Sequence, residues 1–146
     1  DIIGHNYRLE GMQGAILDVK LKYIDEWTNV RRRSADLYRK HLAECQDIVL
    51  PAEMPDAKHV YHLFVIRTKK RDELQDYLKE HQIFTGIHYP IPCHLQAAYK
   101  DLGYSKGDFP VTDDYAPQLL SLPMSEQLKE EEIAFVAETI KSFFEK

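Results

Sequence analysis

The sequence predicts an α/β protein of α+β-like character: a long N-terminal helix followed by a small, mainly antiparallel sheet flanked by helices. Three observations carry that expectation. Apolar residues recur at helical spacing, with no proline, across residues 9–42. A β-branched and aromatic run, Val60-Tyr61-His62-Leu63-Phe64-Val65-Ile66, has the composition of a buried strand. A second amphipathic stripe, Ile133, Val136, Ala137, Ile140 and Phe143/Phe144, marks another helix.

In the long helix one stripe is Leu9, Met12, Ile16, Val19, Tyr23, Trp27 and Val30, and Leu17, Leu21 and Ile24 widen it. Unbroken, this helix would be roughly 50 Å long at about 1.5 Å per residue. A compact domain of this chain length is only about 40 Å across. Its first half is therefore expected to overhang and to need a surface from another domain or subunit. The alternative is a kink near Asn29 that folds two helices back on each other. Arg31-Arg32-Arg33 on this helix reads as a solvated basic face.

Pro51 and Pro55 mark the connection to the first strand. Arg71–Glu80 reads as a short helix with Leu74, Tyr77 and Leu78 inward. Residues 83–89 read as a second strand, which Pro90 and Pro92 would end because proline cannot donate to a ladder. Residues 95–102 can form a helical turn or two, and residues 103–110 a loop. Pro110 suits the first turn of a further helix, and Leu119–Leu122 a third small strand. In the last helix, Glu130, Glu131 and Glu132 at the start and Lys141 and Lys146 at the end match the helix dipole.

Composition narrows the function classes. Of 146 residues, 44% are apolar and 29% charged, and 24 acids against 19 bases leave a net charge of −5. That balance disfavours a nucleic-acid binder, which carries a basic excess on one face. No apolar run approaches the roughly 20 residues that span a bilayer. Two cysteines, Cys45 and Cys93, cannot build a disulfide framework and point to a reducing, cytoplasmic setting.

Three constellations could carry chemistry. Gly4-His5-Asn6-Tyr7-Arg8 places an amide and a guanidinium just before a helix, which would suit a phosphate or carboxylate, or a simple helix cap. In His59-Val60-Tyr61-His62 the histidines are three apart on an expected strand, so they face opposite sides, which disfavours a shared metal. One of them, or Tyr61, would face a pocket. His88-Tyr89-Pro90-Ile91-Pro92-Cys93-His94 gathers two imidazoles, a phenol and a thiol in a proline-restricted loop. This could be a binding wall, a strand cap, or a zinc site from His88, Cys93 and His94, although zinc takes three or four protein ligands and no CxxC or HExxH pattern is present. Glycine-rich phosphate loops and nucleophile elbows are likewise missing.

Gly4-His5-Asn6-Tyr7-Arg8-Leu9 followed by Gln13-Gly14-Ala15-Ile16-Leu17 resembles a segment of the DegT/DnrJ/StrS-type sugar aminotransferases. His59-Val60-Tyr61-His62-Leu63-Phe64, the segment from Gly86 through His94, and Leu120-Ser121-Leu122-Pro123-Met124 match in the family's order and spacing. Gly11 and Cys93 depart from the common pattern, and neither touches the cofactor argument. The resemblance implies the C-terminal part of a pyridoxal phosphate (PLP) enzyme of the aspartate aminotransferase fold, type I. Residues 1–44 would be a cofactor-contact loop and a long interdomain and dimer helix, and residues 45–146 the C-terminal small domain. The large N-terminal PLP domain, which carries the Schiff-base lysine, would lie outside this chain, so the chain alone is expected to bind PLP weakly or not at all.

By motif position, the resemblance implies that Asn6 and Arg8 contact the cofactor in a homodimer. It implies that Tyr61, His88, Tyr89 and His94 line the substrate side, with no metal and no catalytic residue in this chain. The reaction implied moves an amino group, usually from glutamate, to a nucleotide-linked keto sugar, with a lean towards 3-keto over 4-keto sugars. A PLP-dependent sugar dehydratase and a regulatory or protein-interaction module remain open.

Overall fold

The structure, a computed structural model, describes residues 4 and 7–145. His5, Asn6 and Lys146, named above, lie outside the described residues. The N-terminal segment is two helices, α1 (Gly11–Leu21) and α2 (Ile24–Leu42), separated at Lys22 and Tyr23. This corrects the single helix expected over residues 9–42, and the break is not at Asn29. Its cause is one tightened turn: the Tyr23 N–H donates to the Lys20 carbonyl at 3.0 Å, and Trp27 restarts the ladder on the Tyr23 carbonyl at 3.0 Å. The Tyr23 ring stacks on Trp27, centroids 5.8 Å apart. Apolar steps of three and four accommodate such a turn without losing their stripe. α1 buries none of its side chains against the described residues, whereas α2 buries Ser34, Ala35, Tyr38 and Leu42.

Those α2 residues pack on α5 (Glu130–Phe144), which buries Ile133, Val136, Ala137 and Ile140 as its stripe predicts. α3 (Arg71–Glu80) adds Leu74 and Leu78. Strands β1 (Phe64–Arg67) and β2 (Leu119–Leu122) pair antiparallel, with Phe64 opposite Leu122 and Arg67 opposite Leu119. Phe64, Ile66, Leu120 and Leu122 close the core from the sheet side. α4 (Pro110–Tyr115) begins on the expected proline, and its Tyr115 lies under the Arg67 guanidinium, 3.7 Å from the ring centroid. No described helix is long and apolar enough to cross a membrane.

Several buried polar groups in the core are paired. The Tyr38 hydroxyl donates to the Pro123 carbonyl at 2.9 Å, and burial pushes its phenol pKa up. Ser34 and Thr139 donate to the carbonyls of Val30 and Phe135, one turn back on their own helices.

Two expected strands are shorter than the sequence suggests. The first starts at Phe64, because Tyr61 takes a φ of 47° and directs the preceding residues along α2. Arg31 and Arg32 hold them there, which corrects the solvated-face reading for two of the three arginines. Arg31 donates to the carbonyls of Met124 (3.2 Å) and His62 (3.4 Å) and pairs with Glu126 at 2.8 Å. Arg32 pairs with Glu53 at 2.8 Å and donates to the His59 carbonyl. Only Arg33 of the three is exposed. The second expected strand, residues 83–89, is reduced to one bridge between Gly86 and Ser121 on the free edge of β2. Val49 makes the matching single bridge to Arg67 on β1.

Two outcomes are expected. Leu74→Ala, which empties a fully buried site between α3 and α5, should cost about 2–5 kcal/mol in a urea melt. Hydrogen bonds from Arg32, the His59 N–H and Tyr61 hold the Glu53 carboxyl at about 2, below its ordinary 4.5. Because the folded value is depressed, this stabilisation is complete above pH 4.5 and is lost as pH falls towards 2. Denaturation midpoints measured across that window should fall less steeply in Glu53→Gln than in the parent chain.

Candidate functional site

The sheet edge carries the first candidate. The Gly86 N–H donates to the Ser121 carbonyl at 3.1 Å, and the Ser121 N–H returns a bond to Gly86 at 2.8 Å. Two residues later the chain leaves the ladder, and Nδ1 of His88 sits 2.9 Å from Oγ of the buried Ser121. The peptide between His88 and Tyr89 is cis, and the two rings meet edge-on at 5.5 Å. Tyr89 is 71% exposed and, with Pro90, Ile91 and Leu95, lines an open depression of about 540 Å³. His88 and Tyr89 therefore form one surface, backed by β2.

His94 lies in a 3₁₀ turn (Cys93–Leu95) and faces away from that surface. Its Nε2 is 3.0 Å from Oδ1 of Asp113 on α4, and the two side chains are 8% and 10% exposed. Neither atom makes a hydrogen bond of accepted geometry among the described residues, and each buried atom has the other as its close polar neighbour. The ring packs on Phe109, centroids 4.8 Å apart. The other Asp113 oxygen accepts the N–H of Gly107, whose φ of 106° only glycine adopts freely. Since Tyr115 of the same helix sits under Arg67, His94 anchors the proline loop to the core through α4. His88 and His94 are thus committed to different partners. The zinc arrangement considered for them is not formed, and no group of three or more potential metal ligands occurs among the described residues.

Tyr61 is 2% exposed. Its hydroxyl accepts from Arg39 and donates to Glu53, 3.1 Å away, and the Arg39 guanidinium lies 5.0 Å over its ring. It is buried between Val60 and His62 in the chain. Those two, with Leu17, Ile24 and Trp27, line an apolar groove of about 690 Å³ along α1 and α2. Arg8 precedes α1, is exposed, and makes no ion pair with a described residue. At the α1 N-terminus the Gln13 side chain already accepts the Glu10 N–H at 3.1 Å. Asn6 lies outside the described residues.

Of the five described residues among the six expected from sequence, the structure joins only His88 and Tyr89. Sequence reasoning missed Ser121 and Asp113. Ser121 had one signal, a lone hydroxyl between leucines in a strand, whereas Asp113 is one of two adjacent acids on a short, mostly exposed helix and had none. Asp113→Ala should release His94, raising its rate of diethyl pyrocarbonate modification several-fold. Asp113→Asn, which keeps an acceptor oxygen, should stay near the parent rate.

The profile of the DegT/DnrJ/EryC1/StrS aminotransferase family matches residues 1–141. A "pleiotropic regulatory protein" of Geobacillus stearothermophilus is 44% identical over 98% of this chain and 39% of its own length. The dTDP-3-amino-3,6-dideoxy-alpha-D-galactopyranose transaminase of Aneurinibacillus thermoaerophilus is 40% identical over 96% of this chain and 38% of its own. The crystal structure of S. venezuelae DesV in complex with a ketimine intermediate superposes with a TM-score of 0.91 at 37% identity, covering 98% of this chain and 38% of that one. The chain thus spans under two-fifths of the length of the curated relatives it matches.

Proposed function

Since the chain belongs to the DegT/DnrJ/EryC1/StrS aminotransferase family, we propose that it is the C-terminal portion of a PLP-dependent enzyme that moves an amino group from glutamate to a nucleotide-linked 3-keto sugar. The observation that carries this reading is the match, over nearly all of this chain, to relatives named as transaminases of 3-amino sugars. These include the Aneurinibacillus enzyme and a dTDP-3-amino-3,4,6-trideoxy-alpha-D-glucose transaminase of Streptomyces venezuelae, 37% identical over 98% of this chain. In the whole protein, a homodimer of the cytoplasm on this reading, a preceding large domain supplies the lysine that carries the cofactor.

The donors present here suit a phosphate-bearing cofactor. Arg8 is an exposed cation with no ion pair among the described residues, and Asn6, two residues earlier, adds a carboxamide donor. Together they would hold the PLP phosphate. PLP, when bound, supplies the electron sink for taking up and releasing the amino group.

The remaining residues bind and orient the nucleotide sugar. Tyr89 presents its hydroxyl to a sugar or phosphate oxygen, and its ring offers an apolar face. His88 contributes its outward ring nitrogen. His94 holds the loop bearing both to α4 through Asp113, and Tyr61, between Val60 and His62 in the chain, is held by Arg39 and Glu53. Orientation by pre-set groups limits the entropy lost on binding.

The whole protein incubated with L-glutamate and a dTDP-linked 3-keto sugar should yield 2-oxoglutarate and the 3-amino sugar, more slowly from a 4-keto sugar. Sugar dehydration without glutamate consumption would instead mark the dehydratase reading. Neither reaction would favour the regulatory reading, which the name of the Geobacillus relative supports. Tyr89→Ala should raise KM for the sugar about tenfold, corresponding to a lost contact of about 1.4 kcal/mol, with KM for glutamate unchanged.

A further inference from the structure

Resting on the reading of His88 as a substrate-side residue, we propose that Ser121, together with Gly86, positions the His88 imidazole so that its Nε2–H is a fixed hydrogen-bond donor to the nucleotide sugar. Ser121 is 4% exposed, and its side-chain oxygen has one hydrogen-bond partner among the described residues, Nδ1 of His88 at 2.9 Å. A buried hydroxyl that fails to donate leaves its proton unsatisfied. Among the described residues the one acceptor within reach of that proton is the Nδ1 lone pair. Nδ1 is then the acceptor nitrogen of the neutral ring, and the ring proton resides on Nε2.

The seat of the ring is built from two further sides. A Cβ on Gly86 would lie 2.7 Å from His88 Cε1, closer than side-chain carbons approach one another, so the ring occupies space that only glycine leaves open. Tyr89 meets it edge-on at 5.5 Å. The paired backbone bonds between Gly86 and Ser121 hold the glycine cradle and the hydroxyl in register. Ring plane, rotation and proton position are thereby set before substrate arrives. Ser121 touches no substrate in this arrangement; it acts through His88.

The test uses the whole protein and its Ser121→Ala, Ser121→Thr and Gly86→Ala variants. Nitrogen-15 NMR of the parent should show His88 with Nδ1 unprotonated and hydrogen-bonded and Nε2 protonated. Ser121→Ala should shift the Nδ1 signal and raise KM for the nucleotide sugar about three- to tenfold, the effect of one lost hydrogen bond, leaving KM for glutamate unchanged. Ser121→Thr, which keeps the hydroxyl, should restore both. If the added methyl prevents folding, Gly86→Ala displaces the same ring from the opposite side and should raise the same KM. A ring proton found on Nδ1 in the parent overturns the proposal. So does Ser121→Ala with unchanged NMR signals and sugar KM, or one that shifts both KM values alike. A parent protein that transfers no amino group overturns the proposed function and the substrate half of this inference, whereas unchanged His88 signals in an active protein overturn the inference alone.

Discussion

The crossing of α2 over α5 is the contact on which the rest of the structure depends. Ala35 presents no bulk at the crossing, so Tyr38 and Leu42 reach the Ile133, Ala137 and Ile140 side of α5. Tyr38 also reaches beyond it to the Pro123 carbonyl, just past β2, and so ties the helix pair to the end of the sheet. With α2 fixed, its arginines fix what runs beside it. Arg31, Arg32 and Arg39 each reach at least one backbone carbonyl of another segment, at Met124, His59 and Pro51 respectively. A guanidinium has five donors in a rigid fork, which lets one side chain bridge a carboxylate and a carbonyl at once. This is how a connection containing Pro51 and Pro55 acquires a defined path.

The sheet is small because its edges are used for something other than pairing. Two four-residue strands would be marginal alone, and they persist because Phe64, Ile66, Leu120 and Leu122 are sealed under three helices. Each edge then takes a single bridge, Val49 on one side and Gly86 on the other. A longer strand at Gly86 would have carried residue 88 along the ladder. One bridge followed by a departure lets the His88 ring turn back onto Ser121. The economy of the sheet and the placement of the imidazole are the same feature.

Seen this way, the proline loop is fastened at both ends. At one end His88 is held by β2, and at the other His94 is held by Asp113, with α4 in turn held by Arg67. Between the two anchors, Tyr89 and Ile91 stay exposed. The surface fixed at both ends thus carries an exposed phenol and an exposed apolar side chain between its anchors. Arg8 and the apolar side chains Met12, Ile16, Leu17, Val19 and Leu21 of α1 are also exposed.

How much of this was legible in the sequence divides by the range of the interaction concerned. The boundaries of α3 and β2, the α4 start at Pro110 and the buried stripe of α5 follow from local periodicity, caps and proline geometry, and the sequence alone determined them. The family match was equally legible, because motif order and spacing are one-dimensional. Only tertiary structure decided that Arg31 and Arg32 are clamps, that residues 83–89 form a bridge and not a strand, and that His94 turns inward to Asp113. It also decided that Ser121 serves His88. The break at Tyr23 is local yet was still hidden, since one tightened turn preserves the apolar spacing. For the others the reason is that a charge, a hydroxyl or an imidazole has no intrinsic partner. Its role is set by which distant donor or acceptor the packed core brings within hydrogen-bond reach, and that pairing is not written in the spacing of residues along the chain.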